Sequence, residues 1–209
     1  MGKFIVICSF VLLLASCKNG NVYTISTEQG DMKITLLEST PKHTENFKKL
    51  VSEGFYNDLL FHRVIKGFMI QGGDPDSKGA TAQQPLGSGG PGYTIPAEIG
   101  TPHFKGMLSA ARLGGPSNPE KESSGSQFFI VQGGPVSDEE LTAIEQNKGI
   151  KYTPAQREKY LKVGGSPMLD ADYTVFGEVI EGLDVIDKIA NVETDPRDRP
   201  VKDVKMTIK

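Results

Sequence analysis

The run Phe61-His62-Arg63-Val64-Ile65-Lys66-Gly67-Phe68-Met69-Ile70-Gln71-Gly72-Gly73-Asp74 concentrates the side chains best suited to chemistry. It offers a permanent cation in Arg63, an amide in Gln71 and soft apolar groups in Phe68 and Met69. Arg63 stands two residues before Ile65, so on an unbroken strand the two share a face, and Gly67 supplies a turn before Phe68. A second run, Ser124-Gly125-Ser126-Gln127-Phe128-Phe129-Ile130, sets an aromatic pair beside another amide. Taken singly, each run has a plain reading, because apolar strand residues fill cores and a strand arginine meets solvent.

Other chemistries find no support. His43, His62 and His103 are scattered and lack partners at metal-ligand spacing, so no metal is expected. His62 reads as a hydrogen-bonded structural residue; a hydrolase using it with a carboxylate such as Asp74 has no supporting spacing. Gly87-Ser88-Gly89-Gly90-Pro91-Gly92 lacks the Gly-Lys-Ser/Thr ending of a phosphate loop, and Pro91 removes an N–H donor. Gly-x-Ser-x-Gly is absent around Ser124 and Ser126, which argues against a serine hydrolase. The formal net charge of −3 and the interspersed signs exclude a nucleic-acid partner. No cofactor is implied.

Strands dominate the elements that must position these residues. Val22 to Ser26 and Met32 to Leu36 predict a hairpin turning at Glu28-Gln29-Gly30-Asp31. Thr40-Pro41 predicts an N-cap and first helical residue, with Phe47, Leu50 and Val51 as the apolar stripe and Gly54 as the stop. Further strands are expected at Phe61–Ile65, Phe68–Gln71, Gly106–Ala111, Gln127–Gln132, Tyr173–Val179 and Val204–Ile208, with a long Gly-rich loop over Gly79–Gly92. Leu183, Ile186 and Ile189 mark a second helix. From Ser137 to Gly165 the rhythm turns helical: Ser137 with Glu140, and Thr153 with Gln156, predict two capping boxes. This is a helical hairpin inserted at about 133–167.

Residues 1–16 stand apart. Lys3 precedes an apolar run from Phe4 to Leu14, shorter than the about 20 residues of a spanning helix, and reads as a secretory signal. Leu14-Ala15-Ser16-Cys17 resembles the lipobox of bacterial lipoproteins, which implies a lipid on Cys17; the alternative is a plain signal with an incidental cysteine. Cys8 falls in the removed segment, so Cys17 would be the sole thiol and no disulfide could form. Residues 17–21 then form a lipidated tether and 22–209 one domain, anchored in the cell envelope on the periplasmic or outer-membrane side, as a monomer.

Together the two runs resemble the cyclophilin family of peptidyl-prolyl isomerases, whose signature matches positions 61–74. Gly106-Met107-Leu108-Ser109-Ala110-Ala111, Ser124 to Ile130, and Leu169-Asp170 with Val175-Phe176-Gly177-Glu178-Val179 resemble further blocks of that family. The resemblance spans about Val22 to Lys209, apart from the hairpin. It implies a mainly β fold, a closed eight-stranded antiparallel β-barrel capped by two helices. It also implies an enzyme that isomerises X-Pro bonds of exported polypeptides and assists their folding, where a binding module would have no use for the arginine. By resemblance the catalytic residues are Arg63, Phe68 and Gln71. Met69, Ala111, Arg112, Gln127, Phe129, Met168, Leu169 and Tyr173 correspond to substrate-binding positions. At three of these the chain departs from many eukaryotic members: Met168 stands for Trp, Tyr173 for His and Arg112 for Asn. The inserted hairpin should emerge near the socket's rim, to extend the substrate surface or contact a partner.

Overall fold

The structure, a computed structural model, describes residues 21–209. The signal segment, Cys17 and most of the tether therefore lie outside the described residues. No helix among the described residues is long and apolar enough to cross a membrane.

The chain opens with the expected hairpin, β1 (Val22–Thr27) and β2 (Gly30–Leu36), followed by helix α1 (Pro41–Ser52). Short strands come next: β3 (Leu59–Leu60), β4 (Arg63–Ile65), β5 (Met69–Gly72), β6 (Thr94–Ile95), β7 (Met107–Ala110), β8 (Ser123–Ser124) and β9 (Phe128–Val131). The helical hairpin consists of α2 (Asp138–Lys148) and α3 (Pro154–Val163). Strand β10 (Val175–Glu181), helix α4 (Leu183–Ala190) and strand β11 (Lys205–Ile208) complete the fold.

Nine of the strands form one curled antiparallel sheet in the order β3-β11-β1-β2-β10-β7-β9-β5-β4, with β6 and β8 as a separate ribbon. The closed eight-stranded barrel expected from the sequence is thus corrected to an open half-barrel with four helices: edge strands β3 and β4 do not pair. The physical reason lies in what faces them. Phe61 and His62 break the expected strand, and the Phe61 and Val64 N–H groups donate to the carbonyls of Val204 and Asp198, 2.9 and 2.8 Å away. The chain around these acceptors turns through Pro196 and Pro200, which have no N–H to continue a ladder, and through Asp198 at φ 63°.

The two faces of the sheet carry two cores. Val64, Ile70, Leu108, Phe128 and Ile130 point inward, where Phe47 and Leu50 of α1 and Ile186 and Ile189 of α4 meet them. Met69, Met107, Phe129 and Val131 alternate onto the outer face and pack with Leu141, Tyr152 and Tyr160 of the hairpin. Burial on both faces explains the unbroken apolar run of β9, each residue of which is buried. The part of the outer face that the hairpin leaves uncovered is the cleft described below.

Two termini show how local signals fared. Thr40 is the N-cap of α1 but its side chain makes no capping bond. The carboxylate of Glu98 accepts from the Lys42 and His43 N–H groups instead, each at 3.1 Å. In the hairpin, Thr153 and Gln156 form the complete capping box, while Ser137 accepts from the Glu140 N–H. The hairpin's neck is tied by reciprocal bonds between Gly134 and Gly165 at 3.1 and 3.2 Å. A Cβ on Gly133 would lie 2.5 Å from the Gly165 Cα, so the two ends can meet only as glycines.

Candidate active site

Strand register assembles the site. Arg63 on β4 lies opposite Gln71 on β5, and Gln71 lies opposite Phe129 on β9. Residues paired across antiparallel strands share a face, so these three form one row on the outer surface. The neighbouring row is Ile65, Met69 and Val131. A cleft of about 180 Å³ opens over these rows, lined by Arg63, Phe68, Met69, Gln71, Ala111, Arg112, Phe129, Leu169 and Tyr173. Nine of the residues singled out from the sequence are therefore brought together.

Two are not. Gln127 lies beside the cleft, in an adjoining groove that shares Gln71, Ala111 and Arg112 with it and runs past Gly87, Tyr93, Asn118 and Glu122. Met168 is 58% exposed and does not line the cleft. It sits in the 3-10 turn Pro167–Leu169, where each step rotates the side chain by about 120°, so Leu169 enters the cleft as Met168 turns outward.

The arginine is held from one side only. Its Nε donates to Asp198 at 3.4 Å, with both side chains more than two-fifths exposed. Such an exposed pair contributes about 0–1 kcal/mol and mainly fixes direction. Among the described residues its two terminal nitrogens make no hydrogen bond, which leaves them to the cleft.

A chain of amides orients Gln71. The Gln127 Nε2 donates to the carbonyls of Gly87 and Gly89 at 3.0 and 2.8 Å, so its oxygen must face the other way. That oxygen accepts from the Gln71 Nε2 at 3.0 Å, leaving the Gln71 carbonyl and one N–H to the cleft. Asp74, fully buried, fixes the loop that starts the chain: its carboxylate accepts from the N–H groups of Gly87 at 2.5 Å, Gly89 at 3.4 Å and Asp76 at 2.8 Å. With its oxygens so engaged, Asp74 is a structural anchor and no general base.

The apolar wall is a stack of rings. The Arg112 guanidinium lies 4.7 Å from the Tyr173 ring centre, and Tyr173 meets Phe129 edge-on at 5.7 Å. Phe129 in turn stacks on buried His103 at 6.1 Å. The Arg112 Nε donates to the Asp172 carbonyl at 2.7 Å, so this cation is a fixture of the wall. Asp198 lies far from the runs that carry the motif and escaped sequence reasoning, and His103 was weighed there only as a metal ligand.

His62 is buried, and among the described residues neither ring nitrogen has a partner, so the expected structural hydrogen bond is absent. Burial lowers its pKa, opposed by attraction from Asp74. The unfolded chain binds a proton near pH 6.5 that the folded chain refuses until lower pH. His62 thus favours the fold fully above about pH 6.5 and progressively less in acid, and His43, also lowered by burial, adds the same sign. Thermal unfolding is expected at lower temperature at about pH 5 than at about pH 7.5. His62→Leu should flatten that slope; an unchanged slope would remove His62 from the account.

Three comparisons bear on this geometry. The family model for cyclophilin type peptidyl-prolyl cis-trans isomerases matches residues 22–208. A putative peptidyl-prolyl cis-trans isomerase of Staphylococcus saprophyticus is 37% identical over 191 residues, covering 89% of this chain and 90% of that protein. A crystal structure of a Cryptosporidium parvum cyclophilin type isomerase is similar with TM-score 0.64 and 27% identity, covering 90% of this chain and 97% of that one. The same protein solved in the presence of the dipeptide Ala-Pro gives 0.63. A curled antiparallel sheet, a cleft beside an outward arginine, and a match running almost the whole described length converge on one answer: the chain belongs to the cyclophilin-type peptidyl-prolyl cis-trans isomerases and is an enzyme that interconverts the cis and trans forms of the bond before proline.

Proposed function

We propose that the cleft over Arg63, Gln71 and Phe129 is where the X-Pro bond turns, and that the enzyme serves exported proteins from a lipid anchor on Cys17 in the cell envelope. The barrier to turning is about 18–20 kcal/mol, because the twisted state loses amide resonance. No bond is made or broken, so the cleft need only bind the twisted amide better than either planar form. Twisting localises the lone pair on the prolyl nitrogen and makes it an acceptor. A guanidinium aimed there stabilises that state preferentially, and Arg63 supplies it.

The proline ring fits the apolar floor of Phe68, Met69, Phe129 and Leu169, with Tyr173 as a polar-tipped cap. Gln71 would orient the carbonyl of the residue that turns, and Ala111, Gln127 and the Arg112 backbone would receive the chain before it. The observation that carries this reading is the register row, which aligns cation, amide and ring on one face. Met168, which faces solvent, has no part in it. Isomerisation assayed on a monomeric chain of residues 18–209 tests the site.

The anchor rests on the sequence alone: a charged start, a short apolar run and Leu14-Ala15-Ser16-Cys17. Metabolic labelling with a fatty acid should mark the protein in the envelope fraction, and Cys17→Ala should abolish the label. A labelled Cys17→Ala variant, or an unlabelled parent chain, would overturn the anchor.

A further inference from the structure

The geometry points to the helical hairpin as the brace that sets the socket wall, with Lys148, Tyr152 and Tyr160 as positioning residues for Leu169 and Tyr173. The wall segment is short and irregular. It consists of the 3-10 turn Pro167–Leu169 followed by Asp170, by Ala171 at φ 62° and by Asp172, and it reaches Tyr173 with no strand partner of its own. A segment of this kind holds a shape only if groups outside it satisfy its backbone and charges.

The hairpin supplies those groups from two sides. At the last turn of α2, the Lys148 ammonium donates to the carbonyls of Met168 at 2.5 Å and Asp170 at 2.9 Å, and also to the Asp172 carboxylate. A single cation thereby spans the residues on either side of Leu169 and the residue before Tyr173. Only 16% of its side chain is exposed, so the ammonium itself is largely shielded from bulk water, although the Met168 carbonyl it reaches lies at the surface. Lys121, from the loop before β8, completes the clasp by donating to the Ala171 carbonyl at 2.8 Å and to Asp172 at 2.7 Å.

Beneath the wall, the hydroxyls of Tyr152 and Tyr160 donate to one oxygen of buried Asp170 at 2.7 and 2.6 Å. The other oxygen accepts from the His103 N–H and faces His103 Nδ1, at 2.8 and 2.7 Å. His103 carries Phe129 on its ring face and meets Tyr173 edge-on. Packing therefore runs unbroken from the hairpin through Asp170 and His103 to the two rings of the wall. The hairpin lies beside the cleft on the outer face and holds its wall, and none of its residues lines the cleft, whose rim it was expected to extend.

The proline ring is gripped alike in the planar and twisted states, so a loosened wall should weaken binding more than turnover. This rests on the cleft being the site of turning, and Arg63→Ala in the same assay keeps the two claims apart. Lys148→Met retains the aliphatic stem and removes the clasp. It should raise KM for a proline-containing tetrapeptide about five- to tenfold, with kcat within about twofold and the fold intact by circular dichroism. Lys148→Arg should return most of the affinity. The double variant Tyr152→Phe with Tyr160→Phe, which keeps both rings, should shift KM in the same direction. A folded Lys148→Met chain with unchanged KM, or one in which kcat falls while KM holds, would overturn the brace. Failure of Lys148→Arg to restore affinity would do the same. Arg63→Ala is expected to show the opposite split, so its failure would count against the site reading and leave the KM test of the brace standing.

Discussion

Replacement of Arg63 by alanine is expected to lower kcat/KM on a proline-containing peptide by roughly two to three orders of magnitude, the loss that follows when one aimed donor is removed from a transition-state site. The size follows from how little else in the cleft carries charge toward the bond. Arg112 is tied to the Asp172 and Leu113 carbonyls and stacked on Tyr173, so it cannot swing in as a substitute. Arg63→Lys should recover only a small part, because an ammonium offers a point charge without the planar fork. Retention of most activity in Arg63→Ala, in a folded chain, would show that the socket alone turns the bond.

The second large effect belongs to Asp74. Removing its buried carboxylate leaves the N–H groups of Gly87, Gly89 and Asp76 without their acceptor in a partly buried setting. Hydrogen bonds to a charged group contribute about 1.5–3 kcal/mol each. With two short contacts and one long one, Asp74→Ala should cost about 3–5 kcal/mol of stability, readable as a shifted denaturant midpoint. The change should also reach catalysis. The Gly87 and Gly89 carbonyls orient Gln127, which orients Gln71, so a released loop unlocks the amide that faces the cleft. Activity should therefore fall below what the remaining folded fraction explains. A variant as stable as the parent would contradict this anchoring role.

The sequence carried the site further than it carried the fold. Arg63, Phe68, Met69 and Gln71 stand within one hairpin, so a turn at Gly67 and simple alternation were enough to place them together. Closure of the barrel was illegible because it depends on residues 194–204, whose turn faces β4 only after the whole sheet has curled. Strands β6 and β8 are too short for any periodicity to register. Capping followed the same division. Thr153 and Gln156 satisfy each other locally and were readable, whereas α1 takes its cap from Glu98, more than fifty residues away. Met168 shows the limit of motif matching, since adjacent residues in a 3-10 turn face different ways and only Leu169 reaches the cleft.

The hairpin is the clearest case of function hidden from local pattern. Its helix signals were plain in the sequence, yet what it does depends on Tyr152 and Tyr160 meeting Asp170, and no spacing rule pairs these residues. Its glycine neck lets the segment leave and rejoin the sheet at one point without disturbing the register of β9.

The most direct test of the central claim separates grip from turning. Exchange between cis and trans forms of a saturating proline-containing peptide can be followed by NMR in the bound state, with the dissociation constant taken from the same titration. The account predicts that Arg63→Ala slows bound-state exchange by about a hundredfold or more while affinity changes less than about fivefold, because the guanidinium acts only on the twisted bond. Weakened binding with bound-state exchange at the parent's rate would contradict it.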